Sequence, residues 1–365
     1  MPQQASGFLA RPDFQSLLDI LMDAGYQCVG PTHVDHALRF RAIESVAELA
    51  QGYTDDQQPG SYRLQFSAES KYFSFTHTDQ GIKPWVFPSR ETLWQAKRTP
   101  SGGIEFQTSH TRHKPVAFLG ARACDIAALQ LMDQHFTRDE AYSQRRQSLL
   151  IIGVNCQRSA ATCFCVSTGD GPAITQAYDI LLDELDTGFI VTAGSDAGAA
   201  VVAKLHLQSV SQTQSETAAS LLRQAAQQQT RTLPHDIEAT LKAKPEDKHW
   251  DDVAARCLSC GNCTMVCPTC FCHAQLDEPE LDGQSSRHLR QWDSCFTQGH
   301  SYIHGITIRT NTRERYRQWL SHKLAYWHDQ YGRSGCVGCG RCISWCPVGI
   351  DITAECSSLC QSSGL

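Results

Sequence analysis

The stretch Cys257–Pro268 reads CLSCGNCTMVCP, and the stretch Cys336–Pro347 reads CVGCGRCISWCP. Each run places three cysteines two residues apart, a fourth cysteine three residues later, and a proline directly behind the fourth. Three thiolates at this spacing surround one corner of an iron–sulfur cube, and Gly261, Gly338 and Gly340 permit the tight turns between them. The proline has no N–H group and ends the local helix. The two complete runs therefore predict two [4Fe–4S] clusters.

The fourth cysteine of each run is expected to bind the cluster of the other run, as in two-cluster ferredoxins. The expected ligand sets are Cys257, Cys260, Cys263 and Cys346 for cluster 1, and Cys336, Cys339, Cys342 and Cys267 for cluster 2. A pair of zinc sites is the alternative, but zinc favours separated CxxC pairs that supply four sulfurs. The spacing therefore favours iron–sulfur clusters.

Three further cysteines lie close to the runs in sequence. Cys270 and Cys272 follow the first run in PTCFCH, and Cys295 lies in WDSCF. Buried thiols that pack as small apolar groups are one interpretation. Substitute cluster ligands, or sulfurs held near a cluster, are the other. Both interpretations stay open at this point.

A second group of cysteines follows two predicted strands in the N-terminal part. Val116–Gly120 and Leu149–Val154 read as short buried strands, and functional sites of α/β sheets lie beyond the carboxyl ends of such strands. The cysteines that follow them are Cys124, Cys156, Cys163 and Cys165. If the two strands are neighbours, these four thiols converge and suit a third [4Fe–4S] cluster. The alternative is that they are structural or free thiols.

The distribution of cysteines also suggests how the chain is divided. The chain has 365 residues and 18 cysteines, of which five precede residue 250. A length of roughly 100–200 residues per domain suggests two domains. We predict an α+β protein with a mixed, α/β-like domain at residues 1–245. A mainly α-helical, ferredoxin-type domain with two clusters is predicted at residues 246–365.

Residue patterns predict further elements of secondary structure. Strands are expected at Tyr62–Phe66, Tyr72–His77 and Gly188–Thr192. Helices are expected at Asp125–Phe136 with Asp125 as the N-cap, at Tyr178–Leu185, within Gln212–Lys248 and at Thr312–Gln330.

Composition and missing motifs exclude several classes of protein. The net charge of −6 does not suit a nucleic-acid binder, which needs a basic face. The N-terminus lacks a signal-peptide pattern, and the longest apolar run is too short to span a membrane. We therefore expect a cytoplasmic protein without a membrane partner. No nickel–iron, flavin or dinucleotide motif is present, so neither flavin nor nickel is expected in this chain.

The sequence resembles the β subunit of cytoplasmic [NiFe]-hydrogenases of the sulfhydrogenase type, and the A subunit of anaerobic sulfite reductase is a similar protein. The resemblance lies in CLSCGNCTMVCPTCFC, WDSCFTQGHSYIHG and the segment from TRERYRQWL to CPVGIDIT, with weaker strings KPWVFPSRETLW, LGARACDIAALQLMD and NCQRSAATCFCVSTGDGP. It implies a subunit that carries electrons, with the eight cysteines of the two runs as cluster ligands. The implied partners are a flavin subunit that uses NAD(P)H and the small and large [NiFe]-hydrogenase subunits, or a sirohaem sulfite reductase subunit.

The functional hypothesis is therefore a relay subunit of an oxidoreductase complex, and no catalytic residue is assigned. Clusters with thiolate ligands pass single electrons. One alternative is a sulfur-handling enzyme that acts at Cys124 and the Cys156–Cys165 loop, because such chemistry uses a reactive thiolate. Another alternative is a cluster-based sensor or scaffold without turnover.

Overall fold

The computed structural model describes residues 6–67, 69–108 and 114–362. The strands in these residues are β1 (Ser6–Ala10), β2 (Gln27–Val34), β3 (Ala37–Ala42), β4 (Tyr53–Gln58), β5 (Ser61–Phe66), β6 (Arg90–Arg98), β7 (Ile104–Thr108), β8 (Val116–Ala121), β9 (Leu149–Val154), β10 (Ile180–Leu185), β11 (Gly188–Ala193), β12 (His273–Pro279), β13 (Ser285–Trp292), β14 (Tyr302–Ile303) and β15 (Ile306–Thr307). The α-helices are α1 (Gln15–Asp23), α2 (Lys83–Val86), α3 (Ala123–His135), α4 (Glu140–Gln147), α5 (Cys165–Thr168), α6 (Asp196–Val202), α7 (Gln212–Gln227), α8 (Ile237–Ala243), α9 (His249–Arg256), α10 (Asn262–Met265), α11 (Thr312–Ser321), α12 (Trp327–Tyr331), α13 (Arg341–Ser344) and α14 (Ile352–Gln361). The predicted α+β class is confirmed.

A seven-stranded sheet organises the N-terminal part, with the order β1-β11-β10-β9-β8-β2-β3. Strands β2, β8, β9 and β10 are parallel, and antiparallel strands lie at both edges. Both faces of β9 are covered, because Leu150 and Ile152 belong to one apolar core while Leu149 and Ile151 belong to another. Burial on both faces explains why β8 and β9 read as continuous apolar runs.

Strands β8 and β9 are parallel neighbours, with Val116 opposite Leu149. Their carboxyl ends therefore lie side by side, which is the condition that the third-cluster hypothesis required. Helix α3 follows β8 directly, and the Cys156–Cys165 loop follows β9.

The predicted helix at Tyr178–Leu185 is wrong, because residues 180–185 form strand β10. This strand pairs in parallel with β9 and in antiparallel fashion with β11. Its exposure alternates between buried and half-buried positions along most of its length. The local sequence has good helix formers, but pairing on both sides outweighs helix propensity.

The predicted strand at Tyr72–His77 is also wrong, because this segment is irregular. Its first two backbone donors are bound by a buried carboxylate instead of a neighbouring strand. Glu184 accepts the N–H groups of Tyr72 at 2.7 Å and of Phe73 at 2.8 Å. A charged acceptor makes a stronger hydrogen bond than a neutral one, which satisfies these donors without a sheet.

Helix α3 confirms the predicted helix but corrects its N-cap. The helix begins at Ala123, the N-cap residue is Arg122, and Asp125 lies one turn inside the helix. The Asp125 carboxylate accepts the backbone N–H of Arg122 at 3.3 Å. An acidic residue in the first turn is favourable there because the N–H groups of this turn have no helical partners.

The remaining predicted elements form, with one irregularity in the last helix. Strands β5 and β11 and helices α7 and α8 lie where the sequence places them. The predicted helix Thr312–Gln330 consists of α11, a π-helical turn at His322–Tyr326 and α12. The π-helical turn places Lys323 and Leu324 in the interior.

A second sheet joins the two parts of the chain, with the order β12-β13-β6-β7. Strands β6 and β7 come from the N-terminal part, whereas β12 and β13 lie within the part predicted to be mainly helical. The hairpin was missed because its first strand, HAQLDEP, has few apolar residues and no regular alternation. The predicted boundary at residue 245 is therefore crossed by a sheet.

Helices α8, α9, α11 and α14 enclose the cysteine loops. Their shared core contains Trp250, Trp319 and Leu359 together with Cys336. Phe164, from the loop after β9, is fully buried in this same core. The N-terminal cysteine loop is thus part of the packing around the C-terminal cysteines.

Candidate iron–sulfur centre

The two cysteine runs fold into loops of the same shape. Ser259 has a φ of 50° and Gly338 has a φ of 63° at the equivalent position of each loop. The N–H of Ser259 donates to Cys257 Sγ at 3.4 Å, and the N–H of Gly338 donates to Cys336 Sγ at 3.4 Å. Amide donors aimed at sulfur stabilise thiolate ligands and tune cluster potentials.

The second turn of each loop begins a short helix in the same way. Gly261 precedes α10 with a φ of 77°, and Gly340 precedes α13 with a φ of 76°. This left-handed conformation is costly for residues that have a Cβ. The glycines predicted to permit the turns therefore lie where the backbone requires them.

Each loop borders a cavity lined by cysteines from both runs. The first cavity is lined by Cys257, Cys260, Cys263, Cys342 and Cys346. The second is lined by Cys267, Cys336, Cys339 and Cys342. The fourth cysteine of each run thus lies at the cavity of the other run, and Cys342 lies between the two. The cavities share two more wall residues, Trp319 and Ile352.

The donors around these cavities fit iron–sulfur clusters. The N–H of Ile350 donates to Cys346 Sγ at 3.3 Å. At the second cavity, Lys323 Nζ donates to Cys267 Sγ at 3.4 Å and to Thr269 at 2.8 Å. A cluster with four thiolates carries negative charge, so a buried ammonium group favours it. Sequence reasoning missed Lys323, because nothing in a helical pattern distinguishes an inward lysine.

The two cavities differ in their access to solvent. Cys336 and Cys339 are buried, whereas Cys260 at the first cavity is exposed. Two apolar residues of the first cavity's rim, Leu258 and Val348, are 64% and 40% exposed. An electron can therefore enter or leave at the first cavity over a short path from the surface.

Three of the four N-terminal cysteines, Cys124, Cys163 and Cys165, lie beside the second run. Cys124, Cys163 and Cys165 are buried, and Cys156 is half-buried. The thiol of Cys163 lies 3.9 Å from the carbonyl oxygen of Cys339, within reach of a weak hydrogen bond.

Close packing of two backbones makes this contact possible. The N–H of Phe164 donates to the Gly338 carbonyl at 2.8 Å. A Cβ on Gly338 would lie 2.5 Å from the Cys165 Cα atom. Only glycine allows the loop after β9 to approach the second run so closely.

A buried ion pair joins helix α3 to the second run. Arg341 Nη2 lies 2.9 Å from Asp125 Oδ1, and both side chains are only 1% exposed. Arg341 Nε also donates to the Thr78 carbonyl at 2.7 Å. No sequence signal pointed to this pair, because its members lie on distant segments.

The other three cysteines lie beside the run cysteines without lining either cavity. Cys272 forms side-chain hydrogen bonds with Cys295 and His300, and these bonds hold the pKa of its thiol below the usual range although burial opposes them. Cys270 contacts Cys267. His300 Nδ1 lies 2.5 Å from Asp293 Oδ2. In the described part of the chain, no group of three or more histidine, cysteine or acidic residues has the geometry to hold a single metal ion.

Comparison with known proteins decides the nature of the C-terminal part. Residues 256–350 match the 4Fe-4S dicluster domain family. This chain carries a 4Fe-4S dicluster domain. Two [4Fe–4S] clusters are therefore its cofactors, and when bound they supply one-electron transfer.

The whole chain is also similar to a curated protein. It is 27% identical over 347 residues to sulfhydrogenase 2 subunit beta of Pyrococcus furiosus, with 93% of both chains covered. The predicted resemblance to sulfhydrogenase β subunits is confirmed. No solved structure matches the chain. No helix among residues 6–67, 69–108 and 114–362 is long and apolar enough to cross a bilayer.

Proposed function

We propose that this chain relays electrons between an NAD(P)H-linked flavin subunit and a [NiFe]-hydrogenase module. The observation that carries the proposal is the pair of adjacent, cysteine-lined cavities in the dicluster domain, which share a wall and differ in exposure. The similarity to a sulfhydrogenase subunit over nearly the whole chain favours the hydrogenase complex. An anaerobic sulfite reductase complex with a sirohaem subunit is the alternative.

The eight cysteines of the two runs are the proposed ligands. Cluster 1 takes Cys257, Cys260, Cys263 and Cys346, and cluster 2 takes Cys267, Cys336, Cys339 and Cys342. The lining of the two cavities supports this exchange, although Cys342 borders both. Ligands exchanged between the runs tie the two loops together, so that loss of one cluster also weakens the other loop.

A third [4Fe–4S] cluster is proposed at Cys124, Cys156, Cys163 and Cys165. Burial, with the nearby thiols of Cys165 and Cys156, raises the pKa of Cys163. Burial also raises the pKa of Cys124, and Cys165 is among the groups that add to this effect. Thiols that affect one another in this way lie within a common neighbourhood, and cluster iron displaces their protons when it binds.

The same burial argues against the sulfur-handling alternative at these cysteines. A reactive cysteine is partly exposed and has a lowered pKa. Cys124, Cys163 and Cys165 are buried, and burial raises the pKa of each of them. A structural or metal-bound role suits these thiols better.

The proposed path runs from the N-terminal cysteines through cluster 2 to cluster 1. The Cys163–Cys339 contact joins the first two positions, and the shared wall at Trp319 joins the second and third. At cluster 1 the exposed rim of Leu258 and Val348 is the proposed contact surface for a redox subunit of the complex. A small apolar rim that excludes water suits an electron-transfer contact, which needs proximity more than a large interface.

The test of the relay is anaerobic purification of the chain alone and in its complex. The isolated chain should accept electrons from dithionite and show no turnover with NAD(P)H, H2 or sulfite. Flavin and nickel in the purified complex would establish the hydrogenase version, whereas sirohaem would establish the alternative. Turnover by the isolated chain would overturn the relay.

The third cluster has its own test, which is iron analysis of the Cys163→Ser variant. With a third cluster the wild type holds about twelve iron atoms per chain, at four per cluster, and the variant loses about four of them. The matched control is Cys28→Ser, since Cys28 is a buried thiol in the apolar core that contains Leu150 and Ile152. About eight iron atoms in both the wild type and the variant would contradict the third cluster.

A further inference from the structure

The side chains of Cys272, Cys295 and His300 form a hydrogen-bonded group that the relay does not use. The Cys272 sulfur accepts hydrogen bonds from the Cys295 thiol, the Cys295 backbone N–H and a ring nitrogen of His300. All three side chains are half-buried. Three donors aimed at one sulfur favour its thiolate form.

The backbone holds the two cysteines together at the end of the β12–β13 hairpin. His273 pairs with Trp292 as the last pair of the ladder, and the Asp293 N–H donates to the Cys272 carbonyl at 2.9 Å. Cys272 therefore lies immediately before the ladder, and Cys295 lies three residues beyond it. The two thiols meet because the hairpin places them there, not because they are adjacent in sequence.

Asp293 orients the imidazole ring of His300. Its Nδ1 atom contacts Asp293 at 2.5 Å, which leaves the other ring nitrogen for the Cys272 sulfur. An acidic residue behind a histidine fixes the ring and favours its protonated form. The hydrogen bond to Cys272 raises the pKa of His300 to about 9, although burial opposes it.

A metal-ligand role fits these residues less well than a thiol role. The described residues contain no group of three or more ligands suited to a single metal ion. Neither cluster cavity is lined by Cys272 or Cys295.

We propose that Cys272 and Cys295 form a redox-active dithiol that stores two electrons beside the clusters. The proposal rests on the proposed function, because the reduced [4Fe–4S] clusters are the electron source. On reduction the Cys272–Cys295 disulfide takes up two electrons and one proton, the S–S bond breaks, and the products are the Cys272 thiolate and the Cys295 thiol. On oxidation the S–S bond forms again, the Cys295 proton leaves to solvent, and each of two oxidised clusters accepts one electron.

The surroundings explain why one proton accompanies the two electrons. Cys272 keeps its negative charge through its three donors, whereas the hydrogen bond to Cys272 together with burial raises the pKa of Cys295. The titratable groups that face this pair are Cys263, Cys270, Lys83, His135, His322, His300 and Asp293.

The clusters lie close enough to supply the electrons. Cys270, which is next but one to Cys272, contacts the cluster 2 ligand Cys267. The cluster 1 ligand Cys263 is among the charged groups that affect Cys295. A dithiol that holds two electrons allows one-electron carriers to serve a reaction that transfers two electrons at once.

The test is an anaerobic reductive titration of the ferricyanide-oxidised, cluster-loaded chain, with mass spectrometry of its cysteines. The wild type should take up two more electrons per chain than the Cys295→Ser variant. Peptides from the oxidised wild type should contain a Cys272–Cys295 disulfide, which disappears on reduction. The matched control is Cys360→Ser, a half-buried thiol on α14, which should leave the electron count unchanged.

Two results would overturn the dithiol. One is an equal electron count in wild type and Cys295→Ser. The other is a loss of about four iron atoms in Cys295→Ser, which would make Cys295 a cluster ligand. Because the iron content of the wild type is measured in the same samples, a failure of the dithiol is distinguishable from a failure of the relay.

The His300→Gln variant provides a second measurement, which should not change if His300 has only a structural role. The variant removes the charge beside Cys272, so alkylation of Cys272 in the reduced chain should begin at a higher pH than in the wild type. An unchanged pH profile of Cys272 alkylation would contradict the role assigned to His300.

Discussion

The Asp125–Arg341 pair shows how single side chains hold the two parts of the site together. Both are almost fully buried, so neither charge can be hydrated once its partner is removed. Loss of one member of a buried pair costs about 3–5 kcal/mol, because the other charge remains unpaired. We expect Asp125→Asn to lower the free energy of unfolding by about this amount, measured by anaerobic urea denaturation.

Asp329→Asn is the control for this prediction. Asp329 is 59% exposed and lies 2.9 Å from Lys242, so solvent screens its charge. We expect little change in the urea midpoint of this variant. Equal effects of Asp125→Asn and Asp329→Asn would contradict the structural role of the buried pair.

The ionisation of His300 predicts how stability depends on pH. Its folded-state pKa is raised from 6.5 to about 9, chiefly by the hydrogen bond to Cys272. A raised histidine pKa adds stability that is fully present below pH 6.5 and is lost as the pH rises through about 9. Wild-type stability should therefore fall over this range more steeply than that of His300→Gln, whereas exposed His235→Gln should follow the wild type. Parallel curves for wild type and His300→Gln would refute this prediction.

The sequence could predict the cysteines of the site but not the charges around them. The runs that begin at Cys257 and Cys336 show both the ligand type and the ligand spacing in sequence, because the ligands of one cube corner are close neighbours in the chain. The contacts of Asp125 and Lys323 are made with segments that are distant in sequence. Their burial results from tertiary packing, so no local sequence pattern predicts it.

At the scale of elements, the contact between the loop after β9 and the second run depends on Gly338. A Cβ there would lie 2.5 Å from Cys165 backbone atoms, and the φ of 63° is itself unfavourable for alanine. We expect Gly338→Ala to lower the free energy of unfolding by roughly 2–5 kcal/mol, from about 1–2 for the backbone and about 1–3 for overpacking. Thermal denaturation of the wild type and the variant under anaerobic conditions measures this loss of stability.

Gly332→Ala separates the two contributions. Gly332 has a φ of 72°, but nothing lies within 4 Å of the added Cβ. This variant should show only the backbone cost, so its loss of stability should be clearly the smaller. Equal losses in the two variants would mean that the loop after β9 does not press on the second run.

Elements differ in how well their sequences predict them. Strands β8 and β9 were predicted because strands buried on both faces are continuous apolar runs. The residues of strand β10 are good helix formers and predict a helix, but pairing with two neighbouring strands decides the structure. The β12–β13 hairpin carries a polar strand with no alternation, so only its partner β6 explains why it forms.

At the scale of the molecule, the path from the N-terminal cysteines to the surface ends at the exposed rim of cluster 1. Leu258→Asp places a charge on this rim without removing a cluster ligand. We expect electron transfer to the redox partner in the complex to slow at least about tenfold, because a buried charge at a contact costs more than about 1.4 kcal/mol. Stopped-flow reduction of the complex measures the rate.

Leu281→Asp is the matched control, since Leu281 is fully exposed in the turn between β12 and β13. Its rate should equal that of the wild type, and the cluster spectra of both variants should be unchanged. Slowing by Leu281→Asp but not by Leu258→Asp would place the contact surface elsewhere.

The most direct measurement of the central claim is EPR spectroscopy with iron analysis of the dithionite-reduced, isolated chain. The two cavities share a wall, so two reduced clusters should interact magnetically. The account predicts at least about eight iron atoms and at least two interacting spins per chain. About four iron atoms, or a single spin without broadening, would contradict it.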